Sequence, residues 1–201
     1  MNSNQPISDE GQVWKDFKNG SKQAFFCIYT NYVNVLYNYG RKIINDKDLV
    51  EDCIQDLFLE LWESKEKLSD TNSIKYYLMK ALRIKLFKEL NKQSKLFDKN
   101  AISNNYDFNI VFSFEVELIN EQLSVEQKKK LSNVLEKLSQ RQKEAIFLRY
   151  FDDLEYEEIA SIMSINYQSV HNLIYRAIKI LRENLVVEIS YLLLATSFLL
   201  N

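Results

Sequence analysis

Apolar side chains recur at intervals of three and four through long stretches of this chain, the spacing that lines one side of an α-helix. Ala24, Phe25, Ile28, Tyr29, Tyr32, Val33, Leu36 and Tyr37 define one such helix. In the next, Leu49/Val50, Cys53/Ile54, Leu57/Phe58 and Leu61/Trp62 come as adjacent pairs every four residues. A third, over about 73–91, places Tyr77, Leu78, Ala81, Leu82, Leu86 and Leu90 on its apolar side. Together they predict a helical domain over residues 10–92. Residues 93–113 lose the period and gather Ser, Asn and Asp, including Ser94, Asp98, Asn100, Ser103 and Asn104, so they read as a linker. A second helical domain is expected over 114–185. Within it Ser139, followed three residues later by Gln142, is a capping-box pattern that starts a helix ending near Tyr150.

Residues 153–185 read DLEYEEIASIMSINYQSVHNLIYRAIKILRENL. They predict two helices around a break at Ser164-Ile165-Asn166. The first, about Tyr156–Met163, turns Ile159, Ala160 and Met163 inward, and Ala160 is small enough for a close crossing. Asn166 is a good N-cap, because its side-chain oxygen can accept a bond from a free backbone N–H. The second helix carries Val170, Leu173, Ile174, Ala177, Ile178 and Leu181 as a full inward stripe. Its other face presents Gln168, Ser169, His171, Asn172, Tyr175, Arg176 and Lys179, with no acid among them. Gln and Asn can bond base edges bidentately, and Arg and Lys can bond guanine or phosphate. Cap, stripe and acid-free face fit a helix-turn-helix whose second helix enters the major groove. The plainer alternative is a helical hairpin with a polar outer side.

Composition narrows the class. Only three glycines and one proline occur in 201 residues, too few turn formers for a sheet protein. The expected fold is all-α: two small helical domains joined by a flexible linker. The net charge of −2 argues against a general nucleic-acid coat protein, but the charge is unevenly placed. Residues 46–66 hold eight acids against two lysines, and residues 75–95 hold seven cations against one acid. Adjacent blocks of opposite sign point to two different partners, or to two solvated helix faces.

On a helical wheel of residues 49–63 the acids Asp52, Asp56 and Glu63 share the side opposite the apolar pairs, with Gln55 at its edge. Leu59 stands among them. A lone exposed leucine is ordinary; within an acidic face it can also anchor a basic protein partner that the acids steer. The third helix combines Lys75, Lys80, Arg83, Lys85 and Lys88 with Tyr76 and Tyr77. Cations that follow phosphates and rings that stack on bases suit single-stranded or melting DNA. A solvated lysine face with core tyrosines accounts for the same residues.

Cys27 and Cys53 have apolar neighbours and no ligand-spaced Cys or His nearby, so they read as small core residues in a reducing compartment. His171 is the one histidine. No metal site, cofactor, phosphate loop or nucleophile–base set is visible, so no enzymatic activity is expected. The apolar tail, 186–201, has an uncharged run from Ile189 to Leu200. That run is shorter than the roughly 20 residues of a spanning helix and is expected to pack on the domain or on a partner, with membrane insertion the lesser alternative. No signal-peptide pattern opens the chain, and a cytoplasmic location is expected.

These residues resemble the sigma-70 family, in particular its extracytoplasmic-function (ECF) group. DLVEDCIQDLFLELWE (Asp48 to Glu63) is similar to the family's polymerase-binding helix pair. Residues 73–92 lie where the family reads and melts the −10 element. LEKLSQRQKEAIFLRYFDDLEYEEIASIMSINYQSVHNLIYRAIKILRE (Leu135 to Glu183) resembles region 4, which reads the −35 element. The resemblance implies roles. Asp52, Gln55, Asp56, Leu59 and Trp62 would contact the β′ coiled coil of polymerase. Lys75, Tyr76, Tyr77, Lys80, Arg83 and Lys88 would engage the −10 region. Tyr167, Gln168, Ser169, His171, Asn172, Tyr175, Arg176 and Lys179 would engage the −35 region. The linker would thread near the RNA path. The implied partners are core RNA polymerase (β′ and β subunits), promoter DNA and an anti-sigma factor.

The chain departs from the family pattern at four positions. Ile84 stands where many members have Asn and Lys88 where many have Asp, so the family's −10 base preference does not transfer. Glu155 replaces the usual capping Ser, and Ser164 replaces the Gly common in the turn. Two other readings share the residue pattern: a helix-turn-helix regulator that binds duplex DNA without polymerase, and an adaptor that binds only proteins.

Overall fold

The computed structural model describes residues 9–94, 106–109 and 132–184, and all regular structure among them is helical. The apolar tail 186–201 and most of 93–113 and 114–131 lie outside the described residues. The chain divides into two compact units between Asp107 and Phe108.

The first unit contains α1 (Glu10–Lys18), α2 (Lys22–Ile43), α3 (Lys47–Ser64), a short 3₁₀ turn (Lys65–Lys67) and α4 (Ile74–Ser94). Each of the first three helices starts where a side-chain oxygen meets a free backbone N–H. Asp9 accepts from Gln12 at 2.9 Å, Ser21 from Ala24 at 3.2 Å, and Asp46 from Leu49 at 3.1 Å. Gly20, at φ +89°, makes the reversal between α1 and α2 in a region that L side chains rarely adopt. Helix α2 packs against α1, α3 and α4, and α3 also packs on α4. Gly40 permits that crossing: a Cβ there would lie 2.7 Å from Val50 Cγ1. Trp14, Phe17, Ile28, Leu36, Leu78 and Leu86 are fully buried, each contributing about 1.5–3 kcal/mol by leaving water.

Two contacts hold the approach to α4. The Trp14 indole donates to the Ser69 carbonyl at 3.0 Å, and Lys18 pairs with Asp70 at 2.6 Å. The start of α4 is fixed by a residue far away in sequence. Glu10 Oε2 accepts from the Ile74 backbone N–H at 2.6 Å, while its other oxygen accepts from the Tyr32 hydroxyl. One carboxylate thus ties α1, α2 and the N-terminus of α4, where negative charge is favoured. Burial first, and then the Glu10 bond, push the Tyr32 phenol well above its ordinary pKa.

The second unit has a helical turn over 132–136, then α5 (Gln140–Tyr150), α6 (Tyr156–Ile162) and α7 (Tyr167–Asn184). The capping box at Ser139 is formed: its hydroxyl accepts from Gln142 N–H at 3.3 Å, and the Gln142 side chain accepts from Ser139 N–H at 2.8 Å. Helix α7 packs on α5 and α6, and Ala145, Leu148, Ile159, Val170, Ile174 and Ala177 are buried.

Part of the stretch read as a linker is packed. Tyr106 is buried in the first unit with its ring 4.9 Å from Phe87. Phe108 is buried in the second unit, 5.7 Å from the Phe147 ring, and donates its N–H to Gln140 at 2.8 Å. Their polar sequence neighbours hid both anchors.

Candidate functional site

Three helix faces carry the residues singled out above. The first is on α7. The turn before it is a Schellman motif: Ile165 N–H bonds Ala160 O at 2.9 Å, and Ser164 N–H bonds Ser161 O at 3.3 Å. Ser164 sits at φ +54°, the left-handed conformation in which glycine costs least. Asn166 Oδ1 accepts from Ser169 N–H at 2.7 Å, the cap expected from its position. At the other end of α6, Glu158 Oε2 accepts from Glu155 N–H at 2.9 Å, while the Glu155 carboxylate faces Arg149 at 3.4 Å.

This turn presents one side of α7 to solvent. Gln168, His171, Asn172, Arg176 and Lys179 are exposed, Ser169 is half-buried, and Tyr167 and Tyr175 are 48% and 63% exposed. Gln168 Nε2 donates to Asn172 Oδ1 at 3.3 Å, which sets the two amides side by side. Tyr156 of α6 supports the N-terminal end, with its ring 5.7 Å from Tyr167 and 6.2 Å from His171. A helix this width fits the major groove, about 12 Å across, and its projecting amides and cations match base edges and phosphates.

The second face is on α4, and its side chains stand lower. Lys88 is exposed, whereas Lys75, Tyr76, Tyr77, Lys80 and Arg83 are half-buried. Tyr77 packs its ring 5.0 Å from Trp14, and burial raises its phenol pKa, so it is partly core. Lys80 lies over the Tyr76 ring at 5.9 Å. The Arg83 guanidinium lies 4.3 Å over Phe87 and 6.0 Å from Tyr106. Lys85, grouped with the DNA-facing cations by sequence, pairs instead with Glu60 of α3 at 2.6 Å. That pair joins the basic block to the acidic one.

The third face is on α3, where Asp52, Gln55 and Asp56 are exposed and Leu59 projects with 57% of its surface in solvent. Trp62 is half-buried against Phe25 at 5.1 Å, with the Lys65 ammonium 4.5 Å above its ring. On α2, Phe26 is 64% exposed, a residue that sequence periodicity did not single out, and Tyr29 lies 4.9 Å from Phe58 of α3. Cys27 and Cys53 are free thiols, Cys53 buried and its pKa pushed up chiefly by that burial. Among the described residues no cluster of His, Cys, Asp or Glu could hold a metal ion, and no helix is long and apolar enough to cross a membrane.

Comparison with known proteins places the chain in a family. The family model "Sigma-70 region 2" matches residues 28–96, and "Sigma-70, region 4" matches residues 128–181, together more than half of the chain. RNA polymerase sigma factor SigV of Bacillus subtilis is 26% identical over 172 residues, covering 85% of this chain and 96% of that protein. The ECF RNA polymerase sigma factor SigM of the same organism is 26% identical over 150 residues, covering 75% and 88%. Among solved structures, the sigma factor RpoE in complex with the anti-sigma factor NepR from Bartonella quintana shares the fold, with a TM-score of 0.55 and 21% identity over 86% of this chain and 98% of that one. The chain belongs to the sigma-70 family, in its extracytoplasmic-function group.

Proposed function

We propose that this protein is an alternative sigma factor, a non-enzymatic subunit that directs core RNA polymerase to promoters with −35 and −10 elements. The observation that carries the reading is the presence of regions 2 and 4, in that order, in one chain. In this reading α7 enters the −35 major groove through Gln168, Asn172, Arg176 and their neighbours. Helix α4 engages the opened −10 strand through Tyr76, Lys80, Arg83 and Lys88, with Lys75 and Tyr77 at its margin. The acidic face of α3 docks on polymerase, Leu59 and Trp62 supplying the apolar contact and Asp52, Gln55 and Asp56 the polar rim. Two readers on one chain raise each other's effective concentration at a site that carries both elements.

Core polymerase, promoter DNA and an anti-sigma factor are the partners, and the cytoplasm is the place of work. The RpoE structure, solved with an anti-sigma factor, supports the last partner by analogy. The test is co-elution of the full chain with core polymerase, followed by promoter binding of the complex. The expected result is a stable complex that Asp56→Lys weakens by at least about tenfold, as like-charge or mismatched rim contacts do. Failure to bind core, with tight duplex binding by the free protein, would overturn the reading.

A further inference from the structure

The outward side of α4 carries one large hydrocarbon among its cations. Ile84 is 58% exposed. Lys80 precedes it by one helical turn and Lys88 follows it by one, so the three residues share one strip of the helix with Ile84 between the two lysines. Arg83 and Phe87, stacked on each other at 4.3 Å, occupy the adjoining strip. Tyr76 stands two turns earlier beside Lys80. Any polyanion held by Lys80 and Lys88 is therefore drawn across the Ile84 side chain.

We propose that Ile84 reads the −10 strand and selects thymine through the 5-methyl group. The proposal rests on the reading of α4 as the −10 interface, with single-stranded promoter DNA as the occupant of this face. The flanking cations supply the charge complementarity. Ile84 has neither donor nor acceptor, so it cannot pair with a Watson–Crick edge. A polar base edge pressed against it gives up bonds to water without replacement. Thymine alone among the four bases offers a methyl group. The side chain is also stiff, because β-branching leaves one strongly preferred rotamer in a helix, so the contact keeps a defined shape. Shape and polarity thus make the position selective even though it forms no hydrogen bond.

The test uses the holoenzyme formed from core polymerase and the full chain. Its probe is a non-template −10 oligonucleotide, drawn from a selected promoter, in which each thymine is replaced singly by deoxyuridine. Removing one methyl group at the contacted position is expected to weaken binding about fourfold, the worth of one buried methyl. Ile84→Ala should abolish that difference, and Ile84→Val should retain most of it. The exposed side chain leaves the fold of the variants intact. Uridine tolerated at every position by the wild-type protein would overturn the proposal, as would a uridine effect that persists in Ile84→Ala. An equal loss on thymine and uridine strands in Ile84→Ala would mean a wedge between bases, and would also overturn it. If the wild-type holoenzyme failed to prefer the −10 strand over a scrambled one, the assignment of α4 itself would fall, a result distinct from uridine tolerance by a selective holoenzyme.

Discussion

Helices α4 and α7 both turn cations and aromatic rings outward, yet they do so in different ways. On α7 the polar residues other than Ser169 are exposed and project from a helix whose opposite side buries Val170, Ile174 and Ala177. On α4 most of the polar residues are half-buried and lean on neighbours: Tyr77 on Trp14, Lys80 on Tyr76, and Arg83 on Phe87. A projecting face can reach base edges at the floor of a groove. A low face of rings and cations suits an unpaired strand that comes to it, since stacking and phosphate pairing need little reach. On the proposed function, exposure thus separates two modes of reading that residue composition alone does not.

The contrast predicts different losses. Asn172→Ala and Arg176→Ala should each cost about 1–3 kcal/mol in promoter binding and relax selectivity at single −35 positions, measured by holoenzyme binding to a set of single-base variants. Equal weakening on all sequences would make α7 a phosphate contact only. Glu10→Gln leaves one side-chain acceptor in place of two, so the Ile74 N–H and the Tyr32 O–H can no longer each donate to an oxygen of their own. The first unit should lose about 1–3 kcal/mol in chemical denaturation, with −10 strand binding weakened and the second unit's transition unchanged. Ser164→Gly relieves the left-handed residue before α7 and should stabilise the second unit by about 1 kcal/mol, read as a shift in its denaturation midpoint. Lys88→Ala should weaken −10 strand binding modestly and to the same extent for all sequences. It should also reduce the salt slope by about 0.7, the share of one single-strand phosphate contact.

What could be read in the sequence was local. The cap at Asn166, the capping box at Ser139 and Gln142, and the inward stripe of α7 depend on residues within a few turns of one another, and all are present. The all-helical, two-module fold followed from the same periodicity. The position of Ser164, flagged by its departure from glycine, has the positive φ that makes the departure matter. Long-range contacts were not legible. Nothing in the run around Glu10 announces that its carboxylate caps a helix beginning at Ile74. Composition grouped Lys85 with the nucleic-acid cations, but its bond to Glu60 depends on how α3 and α4 cross. The burial of Tyr106 and Phe108 was hidden for a similar reason: short apolar anchors in a polar segment carry no period.

In the proposed function one chain carries a duplex reader and a strand reader and takes both to polymerase. Run-off transcription by core polymerase supplemented with the full chain, on a template library randomised upstream of the start site, tests it most directly. Active templates are expected to share two short conserved blocks at a constant separation, the upstream block should degrade in Asn172→Ala and Arg176→Ala, and neither block should suffice alone. A single palindromic block, or transcription that does not depend on the added chain, would contradict it.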